Sequence, residues 1–283
     1  MRRRALSALS CLLAALLVAA AAATAASPRV GSETAHLRGW SATLSYSLTR
    51  KGGFSTIGRL QLRASVSGAA RIDRDLALPA ACGSFGCVVF DGPASMLELA
   101  DLGGDAPTAL VWLWTGGAHC CSVVIAVSLA TGAVAQHDFG NHGASVATVS
   151  GSRVFASVDD RFSYLYTSYA ASGNPIELWQ LRAGRFVDVT ASYPGEISRD
   201  ARDLWDLVRK YRRGKEEIRG LFAAWAADAC RLSGSERVEA AARPLVASGA
   251  FSPPHTDPFG PTGARFPVLL VRDLTRFGYC RRS

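Results

Sequence analysis

The feature that most constrains this chain is a change of hydrophobic period near Pro194. Before it, apolar residues recur at every second position, the spacing of half-buried strands. Trp40, Ala42, Leu44, Tyr46 and Leu48 alternate with Ser and Thr in this way. After it, Leu204, Leu207, Val208 and Tyr211 fall at i, i+3, i+4 and i+7, one face of a helix. Ile218, Leu221, Phe222 and Trp225 repeat that spacing beyond Gly214. Segregated strands and helices predict an α+β fold: a β-rich N-terminal body, then a helical C-terminal region starting near residue 195.

Within the body, Ile57, Leu60, Leu62, Ala64 and Val66 form a second apolar series whose spacing breaks near Gly58. Ala109 to Trp114 is nearly all apolar, as a strand buried on both faces would be. Gly104 to Pro107 reads as the turn before it, and Gly116-Gly117 as its end. Ser122 to Leu129, Val154 to Val158, Phe162 to Tyr169, Ile176 to Leu181 and Arg185 to Val189 read as further strands. Lys51-Gly52-Gly53, Thr131-Gly132 and Ala183-Gly184 supply turns. The rhythm predicts a sandwich or a partial propeller-like body. In the helical region, Ser233 and Glu236 fit a capping box at the start of a third helix, with Pro244 limiting or kinking it. Residues 250–263 read as a loop. Phe266, Leu269, Leu270, Leu274 and Phe277 predict a last helix ending at Gly278.

The first residues carry a different message. Arg2, Arg3 and Arg4 precede an uncharged stretch centred on Leu12, Leu13, Leu16, Leu17 and Val18, which ends in Ala23-Thr24-Ala25-Ala26. Basic start, apolar middle and small-residue end predict a cleavable secretory signal over residues 1–26. This leaves residues 27–195 as the β-rich domain and 196–283 as the helical region. No second apolar run is long enough to span a bilayer, so a secreted chain without a transmembrane segment is expected after cleavage. The sequence holds 31 basic and 23 acidic residues; removing the three signal arginines leaves an excess of five positive charges. That mild excess argues against a nucleic-acid partner and leaves a cell-surface or extracellular ligand as the expected kind.

Cys11 leaves with the signal, so six cysteines remain: Cys82, Cys87, Cys120, Cys121, Cys230 and Cys280. An even number in an exported chain predicts disulfides. Cys230 with Cys280 is the first expected pair, because both lie in the helical region. The other four allow three connectivities. Cys82 and Cys87 bracket Gly83-Ser84-Phe85-Gly86 and could pair, leaving Cys120 and Cys121 bridged to each other or free. Alternatively both could cross to Cys120 and Cys121.

Asp101-Leu102-Gly103-Gly104-Asp105, followed by Leu110-Val111, resembles the FG-GAP/VCBS-type repeat of propeller-like extracellular proteins. That resemblance implies an aspartate-rich loop before a strand, often holding calcium through converging oxygens. Asp101 and Asp105 are the positions that would hold it here. Gly103 and Ala106 replace the usual acidic and glycine positions, and Ala109 stands where an acidic residue is common. Gly116-Gly117-Ala118-His119-Cys120-Cys121 is similar to an element of uncharacterised secreted bacterial proteins with this repeat. Asp159-Asp160-Arg161-Phe162 and Phe186-Val187-Asp188-Val189-Thr190 also resemble that group. The resemblance covers roughly residues 95–230 and implies export and a β-rich fold, but no established reaction.

Three functions follow as expectations. The first is a disulfide-stabilised binding or structural module. The second is an extracellular hydrolase or thiol enzyme using His119 with Cys120 or Cys121, since a histidine can activate a neighbouring thiol. The third is a calcium-dependent module through Asp101 and Asp105. No Gly-x-Ser-x-Gly elbow, His-Glu-x-x-His element or phosphate-binding glycine loop appears, which removes the enzymes those motifs mark. His137-Asp138 and Asn141-His142 read as a polar turn around Phe139-Gly140. Phe162, Tyr164 and Tyr166 read as one face of a strand, packed into a core. The run Arg209, Lys210, Arg212, Arg213 and Lys215 is answered by Glu216 and Glu217, as at a solvated helix end.

Overall fold

The computed structural model describes residues 29–51, 54–83, 86–88, 95–117, 120–252 and 259–280. The expected signal over residues 1–26 and His119 lie outside the described residues. The fold is α+β: three four-stranded antiparallel sheets, followed by four helices.

The first sheet runs in chain order through β1 (Arg29–Leu37), β2 (Trp40–Lys51), β3 (Phe54–Val66) and β4 (Ala69–Leu76). The second contains β5 (Leu97–Ala100), β6 (Thr108–Gly117), β7 (Cys120–Ser128) and β8 (Val134–Asp138). The third contains β9 (Ser145–Val149), β10 (Ser152–Val158), β11 (Ile176–Arg182) and β12 (Arg185–Asp188). Among the described residues, four hairpins close through two residues: Arg38-Gly39, Ser67-Gly68, Ser150-Gly151 and Ala183-Gly184. Both central residues of each have positive φ, as the primed turns matching strand twist require. The break in apolar spacing near Gly58 is a β-bulge: Ser47 faces Arg59 and Leu48 faces Ile57, leaving Gly58 as the extra residue.

The second sheet is buried on both faces, as the apolar run in β6 predicts. Val111, Leu113, Ile125 and Val127 pack against Leu44, Leu60 and Leu62 of the first sheet. Their sequence neighbours Leu110, Val124 and Ala126 turn the other way, onto Phe155, Trp179 and Phe186 of the third sheet. The far face of the third sheet packs Val154, Leu178 and Val189 beneath Tyr193, at the entry to the helices.

The helices are α1 (Pro194–Arg213), α2 (Arg219–Ser233), α3 (Ser235–Ala247) and α4 (Arg265–Arg276). Helix α2 lies at the centre, buried from Phe222 through Cys230. A helix apolar on nearly all sides must be enclosed, and α1, α3 and α4 enclose it. Two expectations fail here. The capping box does not form: Ser233 ends α2, Gly234 precedes α3, and no side chain caps α3. Pro244 lies within α3 without ending it. Nor is Phe162 to Tyr169 a strand. It is a loop with short 3-10 turns at Asp160–Phe162 and Tyr169–Ala171. Phe162 and Tyr166 enter the helical core, while Tyr164 has φ +61° and is exposed. The loop lies so close to α2 that a Cβ on Gly220 would fall 2.3 Å from the Ala171 carbonyl oxygen. Contact with a helix therefore overrides the alternating pattern.

Candidate functional site

Three stretches separated in sequence meet at one end of the β body. The first is the end of β6 with the start of β7, where the pairing register shifts between Trp114 and Gly117 and Cys120 faces Gly117. The second is the turn after β8. The Ser122 N–H donates to the Gly140 carbonyl at 2.6 Å, and the Phe139 N–H donates to the Ser122 carbonyl at 2.8 Å, which fixes this turn against β7. The third is the 3-10 turn that begins after Asp159.

Asp160 joins the second stretch to the third. Its carboxylate accepts from the Asn141 N–H at 3.2 Å and the Ser163 hydroxyl at 2.9 Å, and it pairs with His142 Nδ1 at 3.0 Å. Asn141 Nδ2 also donates to the Tyr169 hydroxyl. Gly140 has φ +64°, and a Cβ there would lie 2.5 Å from the Asp160 side chain, so position 140 needs glycine twice over. Asp159 faces inward and is only 3% exposed. Arg161 Nε donates to both of its oxygens at 2.9 Å, and the Tyr279 hydroxyl donates at 2.7 Å. Burial alone would raise the Asp159 carboxyl; the hydrogen bonds from Arg161 and Tyr279 outweigh it and hold the group below the usual carboxylate range.

These stretches border a cleft of about 590 Å³. Cys121, Asp138, Asp160 and Arg161 line it, with Glu177, Trp179 and Asp188 from the third sheet. Burial, reinforced by the Asp159 charge, pushes the Glu177 carboxyl up to about 7, against the opposing hydrogen bond from Trp179 Nε1 at 3.1 Å. A carboxyl titrating near neutrality in an open cleft can exchange a proton or meet a cation. His137 belongs to β8 rather than to the turn. Its ring packs 4.1 Å from the Trp179 ring and 4.5 Å from the Phe139 ring, centroid to centroid, and burial lowers its pKa. His137 and His142 therefore serve different neighbours and do not form a ligand set.

The sulfurs of Cys82 and Cys87 are in bonding contact, as are those of Cys120 and Cys121 and those of Cys230 and Cys280. Asp101 accepts from the Gly103 N–H at 3.0 Å with one oxygen and pairs with Arg38 at 3.1 Å with the other. Asp105 is exposed on the same turn. Among the described residues, no group of three or more His, Cys, Asp and Glu side chains could hold a metal ion.

Glu177 and Trp179 were not picked out from sequence. Their only signal is an acid and a tryptophan two residues apart, hence on one face of β11. Asp188 lies in the stretch that carried the family resemblance.

No family model matches the chain, and no solved structure matches it. A "Probable thylakoid lumen protein" of Synechocystis sp. is 36% identical over 107 residues, which is 35% of this chain and 32% of that relative. The match thus spans about a third of the relative's length. Among the described residues, no helix is long and apolar enough to cross a membrane.

Proposed function

We propose that the chain is exported to an extracytoplasmic compartment and binds a ligand in the cleft beside Cys121. The observation that carries this reading is convergence: Cys121, residues 137–140 and residues 158–161 meet around one cleft although they are distant in sequence. Export is supported by the pattern of residues 1–26 and by the lumenal designation of the Synechocystis relative. In this reading the three sulfur contacts are disulfides, as an oxidising compartment favours. The meander order of the second and third sheets supports kinship with propeller-like repeat proteins, whose blades are built this way.

The lining selects the ligand. Among the described residues lining the cleft, Asp138, Asp160, Glu177 and Asp188 stand with one guanidinium, Arg161, which Asp159 already engages. Trp179 adds an aromatic surface. Such a site suits a cationic group carried on an apolar or extended body. Calorimetric titration of the protein with short arginine-containing peptides tests this. Binding should strengthen as pH rises through about 7, where Glu177 ionises, and weaken by about tenfold in Glu177→Gln, with that pH dependence lost. Equal heats for arginine-containing and aspartate-containing peptides would sink the reading.

A further inference from the structure

The six cysteines form two populations. Cys82, Cys87, Cys230 and Cys280 are buried, at 4%, 0%, 3% and 4% exposure. Cys120 and Cys121 are only half-buried, and Cys121 lines the cleft. The contacts also differ in what they could staple. Cys230 and Cys280 are separated by 50 residues and join the end of α2 to the segment after α4. A cross-link stabilises by restricting the unfolded chain, and its effect grows with the loop enclosed. Cys120 and Cys121 are neighbours, so a bond between them encloses no loop and restricts almost nothing. Neighbouring side chains on a regular strand also point to opposite faces. Their sulfurs meet where β6 and β7 lose regular register, beside Gly116 with φ +85°. Irregularities of this kind recur beside active sites. Cys82–Cys87 is buried, Cys230–Cys280 is buried and closes a long loop, and Cys120–Cys121 has neither burial nor a loop.

We infer that Cys120 and Cys121 form a redox-active pair that accepts two electrons from cysteine thiols carried on cationic peptide segments seated in the cleft. The substrate class rests on the cleft reading above; the redox assignment rests on exposure and adjacency. The incoming thiolate attacks the Cys121 sulfur, forming a mixed disulfide and breaking the bond to Cys120. Cys120 leaves as a thiolate and takes a proton from solvent. A second substrate thiolate attacks the substrate sulfur of the mixed disulfide and expels Cys121, which is protonated in turn. Two substrate thiols lose two electrons and two protons and become one disulfide; the cysteine pair gains both.

The test uses the exported protein, with free thiols alkylated beforehand. It is titrated with cysteine peptides flanked by arginine or by aspartate, and each pair is followed by non-reducing peptide mass spectrometry. Cys120–Cys121 should open at thiol concentrations about tenfold below those that open Cys230–Cys280. The arginine-flanked peptide should react about tenfold faster than the aspartate-flanked one, and salt should shrink that gap. Cys120→Ser, left unalkylated, should trap the oxidised arginine-flanked peptide on Cys121 as a mixed disulfide and release one peptide thiol. The double variant Cys120→Ser/Cys121→Ser should keep its melting temperature and lose all oxidation of the peptide, while the unaltered protein should bind a serine-for-cysteine version of the peptide. Survival of Cys120–Cys121 for as long as Cys230–Cys280 overturns the redox assignment, as does alkylation of both cysteines before any thiol is added. Ready opening at one rate for both peptides overturns the substrate class. Loss of serine-peptide binding in the unaltered protein identifies the cleft reading as the part that failed.

Discussion

In the second sheet, β6 and β7 send alternate side chains to opposite neighbours, so one pair of strands serves two cores. In the helical region a single element, α2, is enclosed on nearly all sides, and one core surrounds it. The sheets gather apolar area through parity, which needs only correct register. The helices must bury whatever α2 carries, including charge. Arg219 and Asp228 are both 0% exposed. Arg219 is held by Glu217 and by the carbonyl oxygens of Phe259 and Pro261 at 2.9 and 3.0 Å. The sheets instead place their ion pairs, such as Arg59 with Asp75, in solvent. The ion pairs between strands therefore lie at the surface, whereas α2 encloses the guanidinium of Arg219.

The largest effect should come from breaking the buried polar set. Arg219→Ala leaves Glu217 and two carbonyls without their guanidinium and should destabilise by ~3–5 kcal/mol. Phe155→Ala, between the second and third sheets, should cost a similar ~3–5 kcal/mol through a cavity. Urea unfolding followed by far-UV circular dichroism and tryptophan fluorescence separates the two cases. If each variant shifts both signals together, sheets and helices melt as one unit and the contrast is only one of architecture. Gly220→Ala pushes a methyl group into the Ala171 carbonyl and should cost ~1–3 kcal/mol in the same assay.

A pH-dependent effect should come from Asp228. Burial, together with the hydrogen bond to Asp200, holds its carboxyl up to about 9. An unfolded aspartate titrates near ~3.9, so the native chain keeps a proton that the unfolded chain loses. Its contribution is complete below that value and is lost as pH rises toward about 9. The urea midpoint should therefore fall between pH 5 and pH 9, and fall less in Asp228→Asn. An identical slope in the variant would mean that Asp228 is not the titrating group. At the bottom of the scale, Arg59→Ala should leave the melting temperature unchanged, because that pair is fully solvated.

Legibility in the sequence followed the same divide. Strands β2, β3, β6, β7, β10, β11 and β12 declared themselves because each has an apolar series or run that the sheets bury. β1, β4, β5, β8 and β9 did not. β4 is an edge strand exposed along nearly its whole length, and its Asp73 and Asp75 face Arg63 and Arg59. Phe162 to Tyr169 looked like a strand because its aromatics alternate, yet Phe162 and Tyr166 are drawn to α2, a partner no local pattern reveals. Three of the stretches around the cleft were visible as motifs. Glu177 and Trp179 were not, because an acid and a tryptophan on a strand have meaning only once the opposite wall is known.

Every strand pair in the three sheets joins chain neighbours. No strand has to wait for a partner beyond its chain neighbour, and the costliest connection to close within a sheet is the loop 159–175 between β10 and β11. A chain delivered N-terminus first can complete the first sheet, lay the second against it and add the third in the order of synthesis. The helices, whose core takes Phe162 and Tyr166 from the loop between β10 and β11, come last.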